Sequence, residues 1–347
     1  MQVRTTAGNV KIRDVARAAG VAVGTVSRVL NGHPAVGEAI RRKVEAAIAS
    51  LGYERDPVAQ SLRGGSTRLV ACAIRDFDIP RFGTFIKEAE RLLRERGYTL
   101  LLSSTSNTPE VEIGLLRAFE RRKVDAVMMT ISDEAHAGVI DALRRAPMPV
   151  LLIDRERITS VDQIAADHRH GARLAVEHLL QLGHRRIAML VGDTKAFPSR
   201  SRVQGYRDAF QAGGVIPAPR LLRDRVLTAE DAFRESMSLM GLPEPPSAIF
   251  VAAMDMLGGC LRALRTLRKE VGSDISVVAG NDSELAELHS PPVTAIRWDL
   301  AEMGRHAATM LIERLTEAAP DTPRFLLLPT DLTIRQSSRH LARAAPA

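Results

Sequence analysis

The chain has 347 residues, of which 45% are apolar and 26% charged, and this composition is typical of globular proteins with more than one domain. No apolar run reaches the roughly 18 to 20 residues of a membrane-spanning helix, and the N-terminus lacks the apolar core of a secretory signal. We therefore expect a cytoplasmic protein with no membrane partner. Cys72 and Cys260 have no metal-type spacing, so neither a disulfide nor a metal site is expected.

The excess positive charge is concentrated at the N-terminus. Residues 1–68 hold eleven Lys or Arg against five Asp or Glu, a balance of +6, whereas the whole chain carries +7. The rest of the chain is therefore close to neutral. A small basic domain attached to a neutral one predicts a polyanion binder, and a basic surface without a partner is the alternative.

Three short helices are predicted in this basic region. The first has an apolar face at spacings of three and four residues, made by Ile12, Val15, Ala16 and Ala19. It ends at Gly20, because glycine accepts the left-handed backbone of a sharp turn. A second helix from about Val23 to Leu30 makes this a helix-turn-helix, and a third helix, Glu38 to Leu51, contributes an apolar stripe that includes Ile40.

The start of the second helix is the candidate DNA-reading surface, because this part of a helix-turn-helix enters the major groove. The candidates for base contacts are Val23, Gly24 and Arg28, with Arg28 able to pair bidentately with guanine. The candidates for phosphate contacts are Thr25, Ser27 and Asn31. A helical hairpin inside a larger fold is the alternative interpretation.

A short helix is also predicted between the basic region and the rest of the chain. Asp56 is a good N-cap and Pro57 suits a first helical position, so the pattern predicts a helix that ends near Arg63. Such a helix is too short to persist alone in water and is expected to order on binding. Leu62 would then act as an apolar wedge in the DNA minor groove, whereas a plain linker is the alternative.

The chain resembles the lactose-repressor (LacI/GalR) family of bacterial transcription regulators in the order of six segments: "IRDVARAAGV", "TVSRVLNG", "LGY", "VAQSLRGGSTR", "GHRRIAMLVG" and "PTDLTIRQSS". The resemblance implies a helix-turn-helix domain (1–55), a hinge helix and linker with the minor-groove leucine (56–67), and an effector-binding and dimerisation domain (68–347). It implies a homodimer on a near-palindromic DNA operator. Lys11 and Ala22 depart from the family pattern at two N-cap positions, which weakens capping and a phosphate contact. Gly24 departs from it at a base-reading position, so a different operator is expected.

Beyond Arg68, short apolar runs alternate with amphipathic stretches, which is typical of parallel sheets with crossover helices. Two such series predict two doubly wound α/β lobes behind an all-α domain. The resemblance implies the periplasmic-binding-protein architecture, with an N-lobe of about 68–167 and 298–328 and a C-lobe of about 168–297 and 329–340. The helix from Asp299 to Leu315 could serve packing or dimerisation, and packing is favoured. The tail shows no leucine heptads for tetramer formation, which favours a dimer.

A small-molecule effector is expected in the cleft between the lobes, beyond the carboxyl ends of the strands. The candidate effector-binding residues are Arg81, Phe82, Arg202, Leu227, Met254 and Asn281. The resemblance assigns the family's effector-binding arginine to Arg202 and an aromatic contact to Phe82. It places Met254 and Asn281 where many sugar-binding members have an asparagine and an aspartate.

The chemistry of these positions favours an anionic effector, such as a sugar acid or a sugar phosphate. Asn281 replaces a carboxylate, and Arg81, Arg200 and Arg202 are expected near the cleft, where guanidinium groups bind anions bidentately. No cofactor is expected. Induction and corepression are both compatible with the sequence.

The sequence favours a regulator over two other classes of protein. An enzyme is disfavoured, because nucleophile-elbow, Walker and dinucleotide-binding motifs are absent from the sequence. His168 and His170 are interpreted as solvated polar residues rather than metal ligands, and His184 as structural. A secreted sugar-binding protein of the same two-lobed fold is disfavoured by the basic N-terminal domain.

Overall fold

The computed structural model describes residues 10–30, 32–53, 66–77, 82–253 and 256–341. The chain divides into two compact units, Met1–Thr67 and Arg68–Ala347. Several sequence-based predictions lie outside the described residues, namely those for Asn31, Leu62, Arg81 and Met254 and for the helix from Pro57 to Arg63.

The first unit contains three helices, α1 (Ile12–Ala19), α2 (Val23–Leu30) and α3 (Glu38–Leu51). Their core consists of small side chains, Val15, Ala16, Val26, Val29, Val44 and Ala47. Gly20 ends α1 with a φ of 65°, the left-handed conformation that a sharp turn requires. Ile40, placed in the apolar stripe by the sequence, is exposed in the structure because α3 buries only its Val44 and Ala47 face.

The start of α1 is stabilised without a side-chain N-cap. Lys11 occupies the N-cap position, and the Oδ2 atom of Asp14 accepts a hydrogen bond of 2.9 Å from the Lys11 backbone N–H. The acidic side chain in the first turn also lies favourably in the helix dipole. Asp14 therefore supplies the half of a capping box that accepts from the N-cap N–H, whereas Lys11 provides no side-chain cap.

The second unit alternates strands and helices along the chain. The helices are α4 (Phe82–Glu95), α5 (Pro109–Arg121), α6 (Ala137–Arg145), α7 (His168–Gln181), α8 (Phe197–Ala212), α9 (Ala229–Met240), α10 (Leu257–Thr266), α11 (Glu284–Leu288) and α12 (Leu300–Leu315). The strands are β1 (Leu69–Ile74), β2 (Thr99–Ser104), β3 (Ala126–Met129), β4 (Val150–Ile153), β5 (Asp162–Ala166), β6 (Ile187–Leu190), β7 (Leu222–Arg223), β8 (Ala248–Val251), β9 (Ser276–Ala279), β10 (Thr294–Arg297), β11 (Phe325–Leu328) and β12 (Asp331–Thr333).

These strands form two six-stranded sheets, each the centre of one lobe. The N-lobe sheet has the order β11-β5-β4-β3-β1-β2, and all of its strand pairs are parallel. The C-lobe sheet has the order β12-β10-β9-β8-β6-β7 and is parallel except for the β10–β12 pair. The predicted fold class, an all-α helix-turn-helix region and a two-lobed α/β domain of doubly wound parallel sheets, is confirmed.

The chain passes between the lobes three times, after β5, after β10 and after β11. The last two crossings are separated by α12, which packs on α4 in the N-lobe core. Gly304 allows this close approach, because a Cβ atom at that position would lie 2.3 Å from the carbonyl oxygen of Phe85. Trp298, in the crossing after β10, packs against the cores of both lobes.

Candidate DNA-binding surface and ligand cleft

Helix α2 presents one polar face and buries the other. Val26 and Val29 are buried in the core of the first unit, whereas Gly24 and Arg28 are exposed. Val23, Thr25 and Ser27 are half-buried near the start of the helix. The structure thus places Val23, Gly24, Thr25, Ser27 and Arg28 on one short helix without an acidic residue in its first turn. Their contacts with DNA stay predictions.

A cavity of about 470 Å³ lies between the two lobes of the second unit. Four of the predicted effector-binding residues line it: Phe82, Arg202, Leu227 and Asn281. They come from the start of α4, from α8, from the segment before α9 and from the loop after β9. The cavity therefore collects side chains from the carboxyl ends of strands in both sheets, as expected for parallel α/β sheets.

Arg202 is held firmly at the C-lobe wall of the cavity. Its side chain is buried and donates a 3.1 Å hydrogen bond from a terminal nitrogen to the Oδ1 atom of Asn281. The guanidinium carbon lies 6.0 Å from the centre of the Trp298 ring, within the range of a cation–π contact. A neutral amide therefore occupies the position beside Arg202, and the aromatic ring limits the rotation of its side chain.

His168 corrects the interpretation of the sequence, which treats it as a solvated residue. Its side chain is buried, lines the cavity and places Nε2 2.9 Å from the Oδ1 atom of Asp154. His170 is half-buried, with its Nδ1 atom 3.4 Å from Arg173. His184 is buried between Ser247 and the carbonyl oxygen of Arg339, away from the cavity, which agrees with a structural role.

Arg200 lies near the cleft, as expected, but it does not line the cavity. Its guanidinium donates to Glu134 at 2.8 Å and to Glu156 at 3.1 Å, and both carboxylates belong to the opposite lobe. A second ion pair joins Lys195 of the C-lobe to Asp133 of the N-lobe at 3.3 Å. Arg200 therefore ties the lobes together beside the cavity instead of lining it.

Several residues that line the cavity were not predicted from the sequence. They include Arg75, Asn107, Thr130, Asp133, His136, Asp154, Arg155, His168, Asp193, Lys195 and Trp298. The loops after β3 and β4 contribute Thr130, Asp133, Asp154 and Arg155. Ligands of parallel α/β sheets bind beyond the carboxyl ends of the strands, and both loops lie there, so this signal was present in the sequence.

The described part of the chain lacks the features of a metal site, a membrane-spanning helix or a reactive thiol. Among these residues, no group of three or more His, Cys, Asp or Glu side chains is arranged to hold a metal ion. None of the described helices has the length and apolar character needed to cross a membrane. The buried thiols are unreactive in character, since burial raises the pKa of Cys72 to about 12 and that of Cys260 to about 11.

Comparison with known proteins places both units in one family. Residues 11–56 match the bacterial regulatory proteins of the lacI family, and residues 176–338 match a periplasmic binding protein-like domain. The ribose operon repressor of Escherichia coli strain K12 is 31% identical over 320 residues, which cover 92% of this chain and 97% of that protein. The HTH-type transcriptional regulator DegA of Bacillus subtilis strain 168 is 28% identical over 335 residues, which cover 95% of this chain and 98% of that protein.

The similarity extends to three-dimensional structure. The Lac repressor dimer, solved bound to operator and the anti-inducer ONPF, has a TM-score of 0.85 and 28% identity, with 95% of this chain and 99% of that chain covered. The fold and the cleft define a helix-turn-helix transcriptional regulator with a two-lobed ligand-binding domain, a class of proteins that are not enzymes. The chain belongs to the LacI family of bacterial regulatory proteins.

Proposed function

We propose that the protein is a sequence-specific repressor of genes for carbohydrate or sugar-acid metabolism, controlled by a small molecule in the cleft between its lobes. The supporting observation is the 470 Å³ cavity lined by polar side chains of both lobes, in a chain that also carries a basic helix-turn-helix. A ligand that contacts both lobes shifts DNA affinity if it binds one lobe arrangement more tightly than another.

Each segment of the chain has a different proposed role. Residues 1–55 bind DNA, residues 56–67 form the hinge helix and linker, and residues 68–347 bind the effector and dimerise. Arg28, Val23 and Gly24 read base edges, while Thr25, Ser27 and Asn31 contact phosphates. Leu62 of each subunit enters the minor groove at the centre of a near-palindromic operator. The proposed location of the protein is the cytoplasm.

A homodimer is supported by exposed apolar side chains on one lobe. Leu102 on β2 is 47% exposed and Val111 on α5 is 37% exposed, and β2 is an edge strand of the N-lobe sheet. Edge strands with apolar side chains pair readily with a second chain. A second copy of this chain is the proposed occupant, and the charge substitution Leu102→Glu should therefore give monomers in sedimentation, whereas a monomeric wild type would contradict the proposal.

An anionic effector is supported by the balance of charge at the cleft wall. Arg202 is buried at the cleft wall, and one of its partners there is the neutral amide of Asn281, which accepts a 3.1 Å hydrogen bond from it. Asn281 leaves the cleft with one negative charge fewer than an aspartate would. A carboxylate or phosphate group can pair bidentately with guanidinium, which makes Arg202 the proposed anchor for such a group.

A neutral sugar is the alternative effector. A related protein, the transcriptional regulator CelR, was solved in complex with cellobiose and has a TM-score of 0.72 and 29% identity to this chain. Calorimetry with D-ribose, D-ribonate and D-ribose 5-phosphate separates the two possibilities. The anionic proposal expects binding of at least one of the two anions, and tight binding of ribose alone would contradict it.

The DNA-binding function is tested by selecting duplexes from a random pool with the purified protein. The selected operator should be palindromic, and its affinity should change on addition of a ligand identified by calorimetry. Leu62→Ala should weaken binding to the selected operator more than binding to a random duplex, because a minor-groove wedge acts at a defined base step. Equal losses for both duplexes would remove the wedge from the proposal.

A further inference from the structure

We propose that the Nδ1 atom of His168 accepts a hydrogen bond from a hydroxyl group of the effector, which makes His168 a specificity-determining residue of the cleft. This inference rests on the proposed function, since it assigns a second contact to the same ligand that Arg202 anchors.

The fold brings His168 to the cleft at a crossing between the lobes. It is the first residue of α7, and the preceding Asp167 caps this helix by accepting a 2.9 Å hydrogen bond from the N–H of His170. The His168 side chain is only 2% exposed, yet it lines the cavity. The ring is therefore almost fully enclosed by protein and borders the cavity with a small part of its surface.

Three contacts fix the orientation of the ring. Nε2 lies 2.9 Å from the Oδ1 atom of Asp154, which also accepts a 3.2 Å hydrogen bond from the N–H of Ala166. The ring meets Trp298 edge to face at 5.3 Å and lies 5.8 Å from Phe197. These partners come from different elements, the loop after β4, the loop after β10 and α8. A ring held in this way presents Nδ1 at a defined place.

The hydrogen-bond partner of Nε2 determines whether Nδ1 is protonated. Burial opposes ionisation of Asp154, but His168 and the Ala166 N–H outweigh it and lower the pKa of this carboxyl. An ionised carboxylate only accepts hydrogen bonds, so the proton of the neutral imidazole lies on Nε2. Burial, helped by the charge of Arg202 and opposed by Asp154 and Asp167, lowers the pKa of His168 and keeps the ring neutral near pH 7.

Nδ1 therefore carries a lone pair. Nε2 is bonded to the Asp154 carboxylate at 2.9 Å, and no hydrogen bond to Nδ1 is formed by the described residues. An acceptor in a nearly dry site is stabilised by a ligand that supplies a donor, and a ligand without that donor leaves it unsatisfied. A hydroxyl group is the donor that sugars and sugar acids provide.

The two contacts together define a class of ligand. Arg202 and His168 lie 6.0 and 5.3 Å from the ring of Trp298, so both border the same part of the cavity. A small polyhydroxy anion can place its charge on Arg202 and a hydroxyl group on His168. An anion without hydroxyl groups can make only the contact with Arg202.

Two substitutions separate the roles of the two ring nitrogens. His168→Gln keeps an N–H donor for Asp154 but has no atom in the place of Nδ1. His168→Asn has a polar atom near the place of Nδ1 but cannot reach Asp154. With D-ribose 5-phosphate and D-ribonate as probes, we expect His168→Gln to weaken binding about tenfold, while His168→Asn keeps more of the affinity. His306→Gln, on the exposed face of α12, serves as the matched control.

Nitrogen NMR of histidine-labelled protein gives a readout that a purely structural role would not move. Nδ1 of His168 should be unprotonated in the free protein at neutral pH, and its resonance should shift when a probe binds. A protonated Nδ1, or wild-type affinity in His168→Gln, overturns the inference. If a probe still binds and changes operator affinity, the proposed function survives that result. If neither D-ribose 5-phosphate nor D-ribonate binds, the inference and the anionic effector are overturned together, whereas the repressor function is overturned only if no operator is selected.

Discussion

Arg200 and Glu134 form an ion pair across the cleft, with 2.8 Å between a guanidinium nitrogen of the C-lobe and a carboxylate oxygen of the N-lobe. The Glu134 side chain is fully buried, and its other oxygen accepts hydrogen bonds from the backbone N–H groups of Glu156 and Arg157 at 2.8 and 3.1 Å. The N-lobe backbone thus orients this carboxylate towards Arg200. An ion pair anchored in this way favours the lobe arrangement seen in the structure.

Arg200→Gln should lower the free energy of unfolding by about 1 to 3 kcal/mol, because it leaves a buried carboxylate without its charged partner. Denaturant unfolding measures the change. Arg94→Gln is the matched control, since Arg94 forms a helix-surface ion pair with Glu90 and is 66% exposed, so its loss should cost no more than about 0.5 kcal/mol. Equal effects of the two substitutions would show that the pair across the cleft is no stronger than a surface pair.

Asn281→Asp should change which ligands the cleft accepts. The substitution places a carboxylate 3.1 Å from the Arg202 guanidinium, where the amide oxygen now lies, and so competes with an anionic ligand for the arginine. We expect the affinity for D-ribose 5-phosphate to fall by at least about tenfold and that for neutral sugars to rise or stay constant. Calorimetry measures both, and an undiminished affinity for the anion would argue against Arg202 as its anchor.

The helices of the first unit could be predicted from the sequence because their signals are local. The periodicity around Val15 and Val26 and the glycines after α1 and α3 depend only on residues within a few positions. The same holds for the apolar runs that became buried strands. Ile40 shows the limit, because only the packing of α3 on its neighbours decides which part of an apolar stripe is covered.

The features of the cleft that could not be predicted from the sequence have a common physical origin. His168 is bonded to a residue 14 positions earlier and Arg200 to one 66 positions earlier, so neither partner is visible in a local pattern. Burial and pairing of a polar side chain are tertiary properties. Arg202 and Phe82 were placed correctly at the cavity because the resemblance supplied positions, whereas their ligand contacts stay predictions.

Arg28→Ala should relax the base specificity of DNA binding. Arg28 is exposed on α2, and loss of a bidentate contact with guanine costs about 1 to 3 kcal/mol of discrimination at one base pair of each half-site. Arg42→Ala on α3 is the control, since its side chain is 73% exposed and paired with Glu38. Affinities for the selected operator and its single-base variants measure the effect, and a uniform loss over all sequences would instead assign Arg28 to a phosphate.

Gly304→Ala and Gly114→Ala should change stability in opposite directions. A Cβ atom at Gly304 would lie 2.3 Å from the Phe85 carbonyl oxygen, so α12 and α4 must move apart. A Cβ atom at Gly114 in α5 would have no described atom within 4 Å apart from those of its own helix. Alanine at this position should therefore stabilise the helix by about 0.5 to 1 kcal/mol relative to glycine. Thermal unfolding of the two variants checks the signs, and stabilisation by Gly304→Ala would disprove the close contact.

Glu112→Gln should stabilise the protein more as the pH rises. The Glu112 side chain is buried, its Oε1 atom accepts a 2.6 Å hydrogen bond from the Ser132 N–H, and Oε2 has no partner among the described residues. Burial raises the pKa of this carboxyl above its ordinary value, against the opposing effects of Ser132, Arg155 and His136. The folded state therefore favours the protonated form, and the stabilisation that this carboxyl contributes in acid is lost as the pH rises through its folded-state pKa.

Glutamine keeps the acceptor for Ser132 but carries no charge at any pH. The free energies of unfolding of wild type and Glu112→Gln should therefore be similar near pH 4 and diverge in favour of the variant towards about pH 8. Glu120→Gln, on the exposed face of the same helix, controls for the general effect of removing a negative charge. A difference between wild type and Glu112→Gln that stays constant across this range would show that Glu112 titrates as it does in the unfolded chain.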